Sequence, residues 1–196
     1  MHLNNSNIRM LHAVPDAGPL DIFINNQLVT SRFEFKAITP YYKAQAGSYQ
    51  FKICPQGQQD VVLVNETISI KEDETLTLAV LGFSHVMDVA LINDMPETNI
   101  NPEKSYIRFV HAYPSTVDVD IFLGPNKKTN SFMYREVSPL FEEEPGSYSF
   151  SGLDTATGEV KFAHPRLALS PGRKYAGYIL GSDASNLEML LSLEEV

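Results

Sequence analysis

The sequence predicts an all-β protein built from two tandem antiparallel β-sandwich domains, immunoglobulin-like or transthyretin-like. Three observations predict it. A long stretch returns 99 residues later without a gap, the runs within each copy are short and strand-like between turn residues, and no stretch keeps a helical period.

The repeat comes first. Ile8-Arg9-Met10-Leu11-His12-Ala13-Val14-Pro15 returns as Ile107-Arg108-Phe109-Val110-His111-Ala112-Tyr113-Pro114. At the same offset Asp21-Ile22-Phe23 matches Asp120-Ile121-Phe122, Phe33 matches Phe132, and Pro40 matches Pro139. Gly47-Ser48-Tyr49 matches Gly146-Ser147-Tyr148, and Gly82 matches Gly181. Many other positions differ conservatively, such as Ile38 and Val137, or Tyr42 and Phe141. The expected domains are residues 1–98 and 99–196. The polar, proline-containing segment 93–104 reads as the linker between them.

Within the first copy, strands are expected at 8–14, 20–24, 38–43, 48–53, 61–70, 75–81 and 86–92. Each run is rich in β-branched and aromatic residues, with period two or continuous apolar content. The second copy repeats them 99 residues on. The breaks carry turn chemistry: Pro15-Asp16-Ala17-Gly18, Asn25-Asn26, Ala46-Gly47 and Pro55-Gln56-Gly57. Pro145-Gly146 and Pro171-Gly172 fit type II turns, in which proline sets the second position and glycine supplies the positive φ of the third. About seven short strands per hundred residues point to a sandwich. The first strand is apolar on both faces apart from Arg9 and His12, which predicts coverage on both sides by the sister domain or by a loop.

Composition narrows the function. The 196 residues carry a net charge of −9. The halves contribute −5 (six basic, eleven acidic in 1–100) and −4 (nine basic, thirteen acidic in 101–196). Neither half has the clustered Lys and Arg of a nucleic-acid reader, so no nucleic-acid partner is expected. One cysteine, Cys54, excludes an intramolecular disulfide and a multi-cysteine metal site. The N-terminus lacks the pattern of a signal peptide, and no apolar run is long enough to span a membrane. The default expectation from the residues is a cytoplasmic protein. No glycine-rich phosphate cradle, zinc spacing or nucleophile elbow is present, so no cofactor, metal or catalytic set is expected.

Ile107-Arg108-Phe109-Val110-His111-Ala112-Tyr113-Pro114, followed by Val117-Asp118-Val119-Asp120-Ile121-Phe122, resembles the start of DUF4397 domains. These are bacterial and archaeal domains of unknown function. Gly47-Ser48-Tyr49 and Gly146-Ser147-Tyr148 resemble a later strand of the same family, and the resemblance covers nearly the whole chain twice. It implies a β-sandwich module, often tandem, often in exported or cell-surface proteins, with no catalytic activity.

The candidate ligand-contacting residues are His12 and Asp21, with their counterparts His111 and Asp120. Each histidine precedes Ala-x-Pro and each aspartate begins the second strand, so a His–Asp hydrogen bond between strands one and two is an expectation in both domains. A structural role for the histidines, bonding loop backbone, is the competing reading. Arg9 and Arg108 are expected in ion pairs on a sheet face. Asp118 and Asp120 lie on one strand face, too few oxygens for a calcium site. Glu142-Glu143-Glu144 reads as a charged guard on a strand edge. Tyr41, Tyr42, Tyr113 and Phe141 are candidates for lining a groove or for packing. The expected function is a non-enzymatic binding or structural module with a protein or glycan partner, in a bacterial surface or envelope assembly. The alternative is a hydrolase or small-molecule-binding enzyme with a site at the domain junction near His12 and His111.

Overall fold

The computed structural model describes residues 5–94, 100–114, 117–183 and 185–194. The chain divides into two units between residues 96 and 97. Part of the expected linker, 95–99, lies outside the described residues. The described residues of domain 1 form β1 (Asn5–His12), β2 (Leu20–Ile24), β3 (Gln27–Phe33), β4 (Tyr42–Gln45), β5 (Gly47–Pro55), β6 (Val64–Ile70), β7 (Thr75–Phe83) and β8 (Val86–Asn93). Those of domain 2 form β9 (Ser105–His111), β10 (Val119–Leu123), β11 (Asn126–Lys127), β12 (Phe141–Glu143), β13 (Gly146–Asp154), β14 (Val160–Leu169), β15 (Lys174–Asp183) and β16 (Asn186–Leu193). No helix among the described residues is long and apolar enough to cross a membrane.

The described residues of each domain are all-β and form two four-stranded sheets. In domain 1 the orders are β4-β1-β7-β8 and β3-β2-β5-β6; in domain 2 they are β12-β9-β15-β16 and β11-β10-β13-β14. All pairings are antiparallel except β1 with β7 and β9 with β15. Those two are parallel because the chain crosses to the other sheet and returns between them, which a short hairpin cannot do.

The strands bury one another as their spacing dictates. Met10, Leu20, Ile22, Phe51, Ile53, Leu78 and Val80 meet in the core of domain 1. Phe109, Val119, Ile121, Phe150, Phe162 and Ile179 do so in domain 2. Burying a side chain of this size is worth about 1.5–3 kcal/mol. Both faces of β1 are buried, including Leu11 at 0% exposure.

Three features depart from expectation. The strand β3 lies where the sequence shows no strand pattern, because Gln27–Arg32 is exposed or half-buried at a sheet edge and only Phe33 is buried. Asn25 and Asn26, with φ of 49° and 64°, form the two-residue turn that folds β3 back on β2. The segment expected as a strand over 38–43 touches β1 through a single bridge at Ile38, and the ladder begins only at Tyr42. Finally, Gly172 has the positive φ of its expected turn (71°), but Gly146 does not: it starts β13 directly. Gly146 is already the first residue of the β13 ladder, paired with Leu169, so its backbone follows the strand.

Candidate functional site

The repeated motifs resolve into internal fastenings. In each domain the histidine backbone pairs with the loop that leads to the edge strand: Lys36 and Arg135 donate to the carbonyls of His12 and His111, both at 2.8 Å. Both imidazoles are fully buried. His12 packs 5.8 Å from the Phe33 ring and His111 6.1 Å from Phe132. His12 Nδ1 accepts the Val14 N–H at 3.2 Å, while its Nε2 makes no hydrogen bond of ordinary geometry among the described residues. Burial pushes each pKa down to about 4, with the Gly18 backbone (His12) and the Val117 backbone (His111) offsetting part of it. Both are therefore neutral at pH 7.

Asp21 and Asp120 fasten loops. Asp21 accepts hydrogen bonds from Ser31 Oγ (2.8 Å), Arg32 N–H (3.1 Å) and Gly57 N–H (2.9 Å). Asp120 accepts from Ser131 N–H (2.9 Å) and Thr155 Oγ1 (2.9 Å) and pairs with Lys127 at 2.5 Å. Arg32 and Ser131 carry equivalent positive φ values of 54° and 44°, so the same carboxylate holds the same unfavourable turn in both copies. Desolvation acts to raise these carboxyls; the donors outweigh it and leave both below the usual carboxylate range. The expected His–Asp hydrogen bond is not formed in either domain, because the carboxylates turn toward these loop donors instead.

Arg9 and Arg108 do pair with carboxylates, reached across the intervening strand. Arg9 Nε lies 3.4 Å from Asp94 and donates to Thr77 Oγ1 at 2.8 Å; Thr77 and Tyr41 hydroxyls both donate to Asp94, at 2.5 and 2.7 Å. Arg108 Nε donates to Glu194 at 2.9 Å. The Gly-Ser-Tyr repeat is explained likewise: the Tyr49 hydroxyl donates to the Gln45 carbonyl and Tyr148 to Glu144, tying the crossover between sheets. Cys54 is buried, and desolvation raises its thiol pKa. Among the described residues no group of three or more His, Cys, Asp or Glu is gathered as for a metal ion.

The feature of domain 1 best shaped to receive something is elsewhere. A cleft of about 640 Å³ opens between its two sheets, along the side bounded by the terminal strands β3 and β4. Its floor is Met10, Phe51, Ile68, Ile70 and Leu78. Leu28, Val29 and Tyr42 stand at its mouth, 45, 41 and 50% exposed. Size and apolar lining match those of small-molecule sites. Of the sequence candidates only Tyr42 lies here. The rest of the cleft went unread because β3, one of its walls, has no strand signature.

In domain 2 the same side is bridged, and a smaller hollow of about 300 Å³ lies beside the bridge, lined by Lys128, Thr129, Phe132 and Val137. Lys128 and Glu143 occupy the positions of Val29 and Ala44 and form an ion pair between the two sheet edges, with side chains 15 and 10% exposed. Lys128 also lies over the Phe141 ring, 5.6 Å from its centroid. Phe109 replaces Met10, and Leu123 is fully buried where Ile24 is half-exposed.

Among curated proteins, none is significantly similar to this chain. Solved structures with full-length but distant similarity include the CBM26 module CBMbc of Eubacterium rectale Amy13K in complex with maltoheptaose (9% identity, 96% of each chain, TM-score 0.27). Another is the fimbrial anchor protein Mfa2 of Porphyromonas gingivalis (4% identity, 96% of this chain and 97% of that one, TM-score 0.24). Scores this low carry no inference about ligand. The family model for DUF4397, described as a domain of unknown function, matches residues 6–117 and again 105–195. With both copies matched and nearly the whole length covered, the chain belongs to the DUF4397 family.

Proposed function

We propose that this chain is a non-enzymatic binding module that takes its partner in the open cleft of domain 1, of the kind carried by exported and cell-surface proteins. The carrying observation is the cleft itself: an apolar space of about 640 Å³ with large apolar side chains left exposed at its mouth. Such exposure costs solubility and marks contact surfaces. A hydrolytic reading enlists His12 and His111, but both imidazoles are buried, and Asp21 and Asp120 are each held by three donors rather than by a histidine. A glycan fits the cleft poorly, because its hydroxyls would be buried against aliphatic groups without hydrogen-bond partners. A polypeptide partner fits better.

The test transplants the closure of domain 2. Val29→Lys with Ala44→Glu recreates the Lys128–Glu143 pair in domain 1. The purified wild-type chain is expected to capture a partner from a bacterial envelope extract, and the closed variant, still folded by circular dichroism, to lose it. Equal capture by both, or silence of the wild type in the extract and on a glycan array, contradicts the proposal.

A further inference from the structure

Resting on that reading, we infer that the cleft is a strand-addition site, which accepts an extended polypeptide segment with aliphatic residues alternating with acidic ones. The argument begins with the backbone of β4. In β1, Asn7 N–H donates to Glu74 of the β7 side, whereas the Met10 carbonyl accepts from Thr39 on the β4 side. Even-numbered β1 residues therefore face β4. With the register Ser6 to Ala44 and Ile8 to Tyr42, these two pairs exchange the ladder bonds. The amide and carbonyl of Lys43 then point away from β1, toward the cleft mouth, which Lys43 and Gln45 line. The Gln45 carbonyl, on that same side, is met there by the Tyr49 hydroxyl at 2.8 Å. A strand edge with donors and acceptors aimed outward beside an apolar space is what strand addition uses: the backbone pairs, and alternate side chains enter the space.

Side-chain alternation sets the second half of the pattern. Tyr42 and Ala44 share the core-facing side of β4 with Ile8, while Lys43 sits with Asn7 on the opposite side. The Lys43 ammonium bonds the Asn7 amide oxygen at 2.6 Å and pairs with no carboxylate among the described residues, which leaves two of its three donors for a carboxylate of an added strand. An incoming strand with aliphatic residues toward the cleft presents its alternate residues beside Lys43, where opposite charge is favourable. Domain 2 shows the protected form of this edge. Glu142, Glu143 and Glu144 replace Lys43, Ala44 and Gln45, and Glu143 is pinned by Lys128 across the gap. Charge on a terminal strand is a standard defence against added strands; here β4 of domain 1 carries the single charge of Lys43, where domain 2 carries three successive carboxylates.

The test uses the full chain and a labelled seven-residue peptide alternating isoleucine with glutamate, read by fluorescence anisotropy. A matched isoleucine–lysine peptide and palmitate serve as comparison ligands. The glutamate peptide is expected to bind and to protect the Lys43 and Gln45 amides from hydrogen exchange. Lys43→Glu should weaken it about two- to fivefold and strengthen the lysine peptide by a similar factor. Val29→Lys with Ala44→Glu should abolish binding of both. If palmitate binds in the cleft and neither peptide does, at concentrations up to about 1 mM, the cleft is a binding site but strand addition is wrong. If nothing binds, both readings fail. If the peptides bind equally and Lys43→Glu changes neither, the acidic pattern is wrong.

Discussion

The two domains share a scaffold and differ along one side. In domain 1 Val29 and Ala44 leave the gap between β3 and β4 open and apolar; in domain 2 Lys128 and Glu143, at the same places in the repeat, bridge the gap between the edges of the two sheets. The histidine plugs, the aspartate loop fastenings and the tyrosine ties are common to both. The difference teaches that duplication kept the fastenings and freed one edge to vary, so function is to be sought in what the copies do not share.

The largest effect should come from a shared feature. Removing one partner of a buried ion pair strands the other charge, so Asp94→Ala and Glu194→Ala should each destabilise their own domain by about 3–5 kcal/mol. Chemical denaturation followed domain by domain measures this; a loss in only one domain would break the equivalence of the copies.

Next in size is a pH effect, also expected in both. Burial lowers His12 and His111 to about 4 from an ordinary value near 6.5. Between those values the unfolded chain binds a proton at each site and the folded chain does not. Stability is therefore complete above pH 6.5 and falls as pH drops toward 4, by about 3 kcal/mol per domain. His12→Gln and His111→Gln should each flatten that dependence in one domain only, as read from unfolding midpoints across the pH range.

The smallest effect is on stability but the most telling for the comparison. Lys128→Val with Glu143→Ala should change the stability of domain 2 by only about 1 kcal/mol, since replacing both partners of a mostly buried pair by apolar residues leaves no charge stranded. It should also open a cleft there and give domain 2 affinity for the isoleucine–glutamate peptide. An unaltered domain 2 would mean that other residues close it.

Much of this fold could be read from the sequence. The ungapped repeat exposed the duplication, and period-two runs located most strands, because those strands bury one face and their side chains alternate accordingly. The edge strand β3 escaped, since a strand with one exposed edge and mostly exposed side chains need not alternate in polarity. The proposed site escaped with it. The motif residues His12, Asp21, His111 and Asp120 attracted attention by repeating, yet their contacts are those of packing and turn geometry, which duplication preserves as faithfully as function. The cleft is marked by the opposite signal, positions where the copies differ in charge: Val29 against Lys128 and Ala44 against Glu143.

The most direct test of that asymmetry is a titration of the full chain with benzene, an apolar probe that enters dry apolar spaces, followed through isoleucine and leucine methyl resonances. The account predicts shifts at Ile8, Ile24, Ile68 and Ile70, with Ile107, Leu123, Leu167 and Leu169 unmoved. Equal shifts in the two sets, or shifts confined to domain 2, would contradict it.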